Sequence, residues 1–345
     1  MADIKPTATA LRFGDKFDDC VTRYANLITV SGRGTFPVPG LSVTNVRGEN
    51  CSCMTPQGIT VAKNYLLISA YCNSEKYRTD LEKRVAKGKN AERLEKEKNH
   101  KQHKTVLYVL DKKTEKLITT LALDDHTHAG GITYDGTYVW VCKDVDGKVS
   151  CIKMSDIEKA IKDGKHHVHY HQTCGVEGNA IFCQWFHDML WVADCGSQYG
   201  NGFIAYSVEE TLGILHLKKR KAIEIPACSN GGLLVDFDGK THFALTTSGG
   251  RENPSKVALY TVDLTTKKEF IKYADKECQK LGELVLPPMA EEICIDGNSA
   301  DATVYTLFES ASTPYSLVSG HPCKGIVDRV CTAPARDWFP KVRHI

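Results

Sequence analysis

Five stretches of this 345-residue chain share one grammar: a small or polar opening, a short apolar strand, a turn, and a second apolar strand ending in polar residues. They are TPQGITVAKNYLLISAYC, HAGGITYDGTYVWVCKD, EGNAIFCQWFHDMLWVADC, NGGLLVDFDGKTHFALTTSG and AEEICIDGNSADATVYTLFESAS. A unit of this kind leaves an apolar face that it cannot bury alone, so its copies must stack on one another. Asp135-Gly136, Asp238-Gly239 and Asp296-Gly297 supply hairpin chemistry in three of the units. Third strands follow as LYVLDKKT (107–114) and LYTVDLTT (259–266), and fourth strands as KLITTLAL and KAIEIP.

The anchoring apolar residues are Ile59, Ile132, Ile181, Leu233 and Ile293. The last three intervals are roughly 50–60 residues, the size of a four-stranded propeller blade with modest loops. The first is longer because a charged tract, 75–104, interrupts it. The expected fold is therefore all-β: one domain over 1–345, a five-bladed β-propeller of four-stranded antiparallel blades. An all-β sandwich with coincidental internal similarity is the alternative. The strand-like YANLITVSG (24–32), within an N-terminal segment 1–35, is expected to complete the last blade and so remove the open edges.

The repeat pattern resembles that of the five-bladed β-propeller proteins over nearly the whole chain. Within the first blade, PQGI (56–59) together with LYVLDKKTEKL (107–117) resembles plant-type glutaminyl cyclases. That resemblance implies a metal-bearing propeller. The later motifs of that family are not evident, so none of its catalytic residues is carried across.

With 42% hydrophobic and 25% charged residues the chain can bury a large core, and a net charge of +2 gives no global field for nucleic acid or membrane. No apolar run approaches the roughly 18 residues that span a bilayer. The N-terminus lacks the apolar core of a signal peptide, which leaves two expectations open: an intracellular protein, or a secreted one whose leader has been removed. Fourteen cysteines favour some disulfides. Cys142, Cys151, Cys183 and Cys294, however, lie inside apolar runs where cysteine acts as a small buried hydrophobe. Cys51-Ser-Cys53 is the closely spaced pair, a weak metal signal.

In a propeller the starts of the inner strands and the ends of the second strands surround one mouth of the channel, and loops on a rigid scaffold carry function. The first set is Gln57, His128, Glu177, Asn179, Asn230, Glu291 and Glu292. The second is Tyr71, Cys72, Lys143, Asp144, Asp194, Cys195, Ser248, Glu309 and Ser310. Glu177, Asp194, Glu291 and Glu309 in one ring repel one another unless a divalent cation, a cationic substrate or a shared proton compensates. His128, Glu177, Glu291 and Glu309 are the catalytic candidates, His128 because imidazole titrates near neutrality. Gln57, Tyr71, Asn179, Asn230, Lys143 and Ser248 are the candidates for binding substrate. Glu177, Asn179, Asp194 and Glu309 would suit one calcium or zinc ion. Cys72 and Cys195 read either as nucleophiles or, preferably, as disulfide partners. The alternative throughout is that these groups bind channel water and cap strand ends.

The tract 75–104 favours helix and lies on the mouth face, as a basic flap that could act as a lid. KHHVHYHQ (165–172) sets His167, His169 and His171 on alternate residues, on one face of a strand, a pattern that suits a metal ion. It precedes the third inner strand, however, and is expected to be the outermost strand of blade two, with Val168 and Tyr170 packed inward. No nucleotide-binding or GxSxG, HExxH or Walker context is present. The expected function is an enzyme of the hydrolase, lyase or cyclase class, metal-assisted, acting as a monomer on a small polar substrate. A non-catalytic module for a carbohydrate, peptide or protein ligand is the alternative. No nucleic-acid or membrane partner is expected.

Overall fold

Along Tyr65–Cys72 the side chains serve two seams in alternation: Leu66, Ile68, Ala70 and Cys72 enter one apolar cluster, while Leu67 enters another. Val106–Asp111 repeats the pattern, with Val106, Tyr108 and Leu110 on the first side and Leu107 and Val109 on the second. A strand with both faces buried must lie in a sheet sandwiched between two others. Five sheets so related close into a ring.

In the computed structural model, residues 14–75, 79, 82–83, 101–143, 147–194, 202–273, 275–316 and 322–339 are described. They form a five-bladed β-propeller. Blade one is Met54–Ala62, Tyr65–Cys72, Val106–Asp111 and Leu117–Ala122, antiparallel throughout. Blade two is Ile132–Tyr134, Tyr138–Cys142, Lys148–Lys153 and Gln172–Gly175. Blade three is Cys183–Phe186, Met189–Asp194, Gly202–Thr211 and Ile214–Glu224, with Phe270–Ile271 added in parallel at its edge. Blade four is Ser229–Phe237, Lys240–Thr247, Ser255–Val262 and Cys278–Leu286. Blade five is Ala290–Asp296, Thr303–Phe308 and Arg329–Pro334, completed by Gly34–Pro37. Each seam between neighbouring blades holds its own apolar cluster, and the inner strands touch in order around the axis, the fifth against the first.

Two expectations differ from what forms. The segment 24–32 is not the closing strand: Asn26–Val30 is helical, with Leu27 and Val30 buried at i and i+3 and Ile28 exposed. The strand that pairs with Arg329–Pro334 is the next one, Gly34–Pro37, in register Phe36 to Val330. The histidine stretch is not the outer strand of blade two either, since that strand is Gln172–Gly175. The histidines belong to the connection before it, which crosses to the outer edge of blade one. There Ala122 N–H donates to the His166 carbonyl at 3.0 Å, and Val168 N–H donates to the Ala122 carbonyl at 3.0 Å. The segment thus covers an edge that would otherwise be open. Val168 and Tyr170 do pack inward, onto the seam between blades one and two. Asp124 accepts from His169 Nδ1 at 2.6 Å, and the His171 ring stacks on Tyr138.

Glycine at the start of the inner strands lets these strands converge. A Cβ at Gly131 would sit 2.4 Å from Phe182 Cα, 2.5 Å from a Glu292 oxygen and 2.7 Å from the Cys183 nitrogen. Two of those three atoms are backbone, which cannot swing aside. Gly131→Ala is therefore expected to cost more than about 3 kcal/mol in urea unfolding. Gly282→Ala, on an outer strand where a Cβ meets nothing within 4 Å, is expected to stay within about 0.5 kcal/mol of wild type.

Candidate functional site at the channel mouth

Glu292 stands where the inner strands meet. Its carboxylate accepts N–H bonds from Ile59 at 2.7 Å and from Ile132 at 3.1 and 3.2 Å, and a further backbone bond from Cys183. These residues belong to blades one, two and three, so one side chain from blade five ties four blades together at the axis. Burial pushes the carboxyl pKa well up, against the pull of these N–H groups. The backbone N–H groups that it accepts from favour the ionised form, and burial outweighs them.

Glu291, one residue earlier in the same irregular stretch of the strand, faces Glu309 at the mouth. Both are buried, at 4% and 8% exposure, and hydrogen-bonded to each other. Gln57 Nε2 donates to Glu309 Oε2 at 2.7 Å, and Asn230 Nδ2 donates to Glu291 Oε1 at 3.2 Å. Burial first, and the Glu309 charge second, raise the Glu291 pKa well above the ordinary carboxylate range. Two close carboxyls in a dry site cannot both ionise, so Glu291 holds a proton and shares it with Glu309.

Around this pair lie two phenols. Tyr71 is hydrogen-bonded to Tyr315, whose hydroxyl accepts from Asn73 Nδ2 at 3.1 Å. Burial pushes both phenols up, with the Glu309 charge adding to it, so they remain neutral donors. The His128 ring meets the Tyr71 ring edge-on at 4.4 Å. Arg251, 9% exposed, lies over the Tyr315 ring at 4.9 Å.

Of the expected site residues, the structure gathers Gln57, Tyr71, His128, Asn230, Glu291 and Glu309. It places the others apart from this cluster. Glu177 is exposed and paired with Lys219. Asp194 accepts the Asn179 N–H at 2.9 Å and fills the space a side chain on Gly178 would need, so both residues hold a turn. Lys143 pairs with Asp125 and lies over Tyr170. The Ser248 hydroxyl accepts from Gly250 N–H at 3.4 Å in its own loop. Among the described residues, the group of three or more His, Cys, Asp or Glu ligand atoms within 4.8 Å is Cys51, Cys72 and His103, so Glu177, Asp194 and Glu309 are not assembled as a common ligand set. The carboxyls of Glu291 and Glu309 are the acidic groups that do converge, each with an amide N–H of Asn230 or Gln57 on one oxygen.

Three site residues went unnoticed in the sequence: Asn73, Arg251 and Tyr315. Each lies beyond the end of a second strand and outside the repeat: Asn73 directly after Tyr65–Cys72, Arg251 in a loop, and Tyr315 in the short helix Thr313–Ser316. Asp144, Cys195 and most of 75–104 lie outside the described residues, and with them the expected lid. Among the described residues no two cysteines are at disulfide distance, whereas a disulfide was the preferred reading of Cys72. Its sulfur is 3.5 Å from that of Cys51.

The shared proton has a consequence for stability. Because the Glu291 pKa is higher folded than unfolded, the native state alone keeps this proton above the ordinary glutamate value of about 4.3. Stability then falls as pH rises through that window. Glu291→Gln cannot titrate and keeps a donor toward Glu309. It is expected to match wild type at about pH 4 and to exceed it by about 1 kcal/mol or more at about pH 8. Urea unfolding across pH checks this; an equal slope in both proteins would refute the shared proton.

No family model and no curated protein sequence matches the chain. Among solved structures, the chain is similar to a glutaminyl cyclase of Myxococcus xanthus, with 9% identity and a TM-score of 0.42 over 82% of this chain and 90% of that one. It is also similar to hydrazine synthase of Kuenenia stuttgartiensis, with 12% identity and a TM-score of 0.40 over 76% of this chain and 59% of that one. At these identities no residue is matched to a role.

Proposed function

We propose that the protein is an enzyme in which Glu291 and Glu309 act as an acid–base couple on a small polar substrate at the channel mouth, in hydrolase, lyase or cyclase chemistry. The observation that supports this is the buried pair of carboxyls, hydrogen-bonded to each other, in which burial and the Glu309 charge raise the Glu291 pKa. Such a pair offers one group able to give a proton and one able to take it, as general acid–base catalysis requires. Gln57 and Asn230 orient the two carboxyls, each by an amide donor on one oxygen. Tyr71 and Tyr315 present neutral hydroxyls to a polar substrate, and Arg251 supplies a cation for an anionic group. A divalent cation could take the place of the shared proton, with the two amide groups turned to present oxygen.

The alternative is a non-catalytic binding module on the same face, although mouth residues that differ from blade to blade count against a repeat lectin. A panel of esters, amides, glycosides and N-terminal glutaminyl peptides, the last chosen for the first-blade resemblance, separates the two. For any compound that binds by calorimetry, turnover is measured in wild type and in Glu309→Gln. Turnover lost with binding retained supports the enzyme; ligands bound by wild type and never turned over, with or without added calcium or zinc, would leave the binding module.

A further inference from the structure

On the far side of Tyr71 from the acidic pair, Cys72 turns to a different neighbourhood. Its Sγ lies 3.5 Å from Cys51 Sγ and 4.0 Å from His103 Nδ1, and one ligand atom from each of the three residues falls within 4.8 Å of the other two. All three side chains are buried, with Cys51 at 0%, Cys72 at 3% and His103 at 8% exposure. We propose that Cys51, Cys72 and His103 bind a zinc ion that clamps both ends of the connection between the second and third strands of blade one.

The spacing is that of a metal site. With Zn–S near 2.3 Å and Zn–N near 2.0 Å, the edges of a tetrahedron are roughly 3.4–3.8 Å. The sulfur pair already meets this, and the Cys72–His103 edge closes by about half an ångström. A disulfide needs sulfurs at about 2.05 Å, a much larger movement of two residues held in strands. The histidine is also oriented for the task. Its Nε2 faces Glu49 Oε2 at 3.4 Å, so the carboxylate accepts from the Nε2–H, which leaves the Nδ1 lone pair toward the sulfurs. Carboxylate, imidazole and metal in series are the usual outer support of a zinc ligand. On binding, both thiols release their protons to solvent, imidazole binds neutral, and water completes the tetrahedron.

The place in the chain says what the ion does. Cys51 ends the hairpin strand Glu49–Cys51, Cys72 ends Tyr65–Cys72, and His103 stands just before Val106–Asp111. One ion thus joins three segments distant in sequence, and closing a long loop at its ends is where a clip gains most. Asn73, the donor to Tyr315, is the residue after a ligand. Loss of zinc should therefore loosen the mouth as well as the blade.

The test uses the full chain purified under reducing conditions. Elemental analysis is expected to find equimolar zinc, and Co(II) in its place should give thiolate charge-transfer absorption and the strong visible bands of a tetrahedral ion. Cys72→Ser should abolish both. Glu49→Gln should keep the site but weaken zinc about 10- to 100-fold in chelator competition. The wild-type measurements stand even if Cys72→Ser does not fold. A wild-type protein that takes up neither Zn(II) nor Co(II), or one in which peptide mapping shows a Cys51–Cys72 disulfide, would overturn the proposal.

Discussion

Glu292→Ala is expected to destabilise the propeller by about 3–5 kcal/mol, because it strands backbone donors on three inner strands at once. Ile59, Ile132 and Cys183 all donate to this carboxylate, and Glu292 itself is 1% exposed. A buried N–H without an acceptor costs about 1–3 kcal/mol, and water has no ready route to replace the lost oxygens. Glu292→Gln tests whether shape or charge matters. The amide keeps the volume but presents its NH2 group to donors, so it is expected to recover less than half of the loss. Equilibrium urea unfolding reads both. An alanine variant within about 1 kcal/mol of wild type would mean that the strands hold their convergence without the carboxylate. Gly58, Gly131 and Gly231 share in this arrangement, since a Cβ on any of them would press on Glu292. The central tie and the glycines around it are one device, supplied by different blades.

That device was half legible in the sequence. The glycine before the apolar anchor recurs in QGI, GGI and NGGL, and it helped reveal the repeat. What it makes room for could not be read, because the occupant comes from another blade. Strand grammar was legible for the physical reason that each strand has both faces in a seam, so apolar runs and turns recur at a fixed spacing. The closing strand was misplaced because ANLITV satisfies alternation and helical spacing alike. Packing of Leu27 and Val30 against blades four and five decided for the helix. The histidines misled for a related reason: alternation in sequence became an edge cover whose backbone, rather than its imidazoles, does the pairing. At the mouth, the residues on strand ends were legible through the repeat. Arg251 comes from a loop and Tyr315 from the short helix Thr313–Ser316, both outside the strand register, where sequence position says little about direction.

If the pair at the mouth is catalytic, Glu309→Gln and Glu291→Gln should each lower kcat by about 10²–10⁴ while KM changes little, since each removes one end of a proton transfer. The double variant should be no worse than the worse single one, because two groups that share one proton act as a unit. The pH dependence follows from the same geometry. Only the singly protonated pair has both an acid and a base, so turnover should rise and then fall with pH, and the two limbs belong to the pair rather than to either residue. The alkaline limb should lie well above the ordinary carboxylate range, since burial raises the Glu291 pKa. In Asn230→Ala, Glu291 loses the donor that favours its ionised form, so this limb should move to higher pH. Kinetics across pH on a compound found in the substrate panel would decide it. A flat profile, or a Glu309→Gln enzyme within about threefold of wild type, would remove the carboxyl pair from the chemistry. A rate that instead rises with added calcium and collapses with chelator would assign the site to a metal in the position of the shared proton.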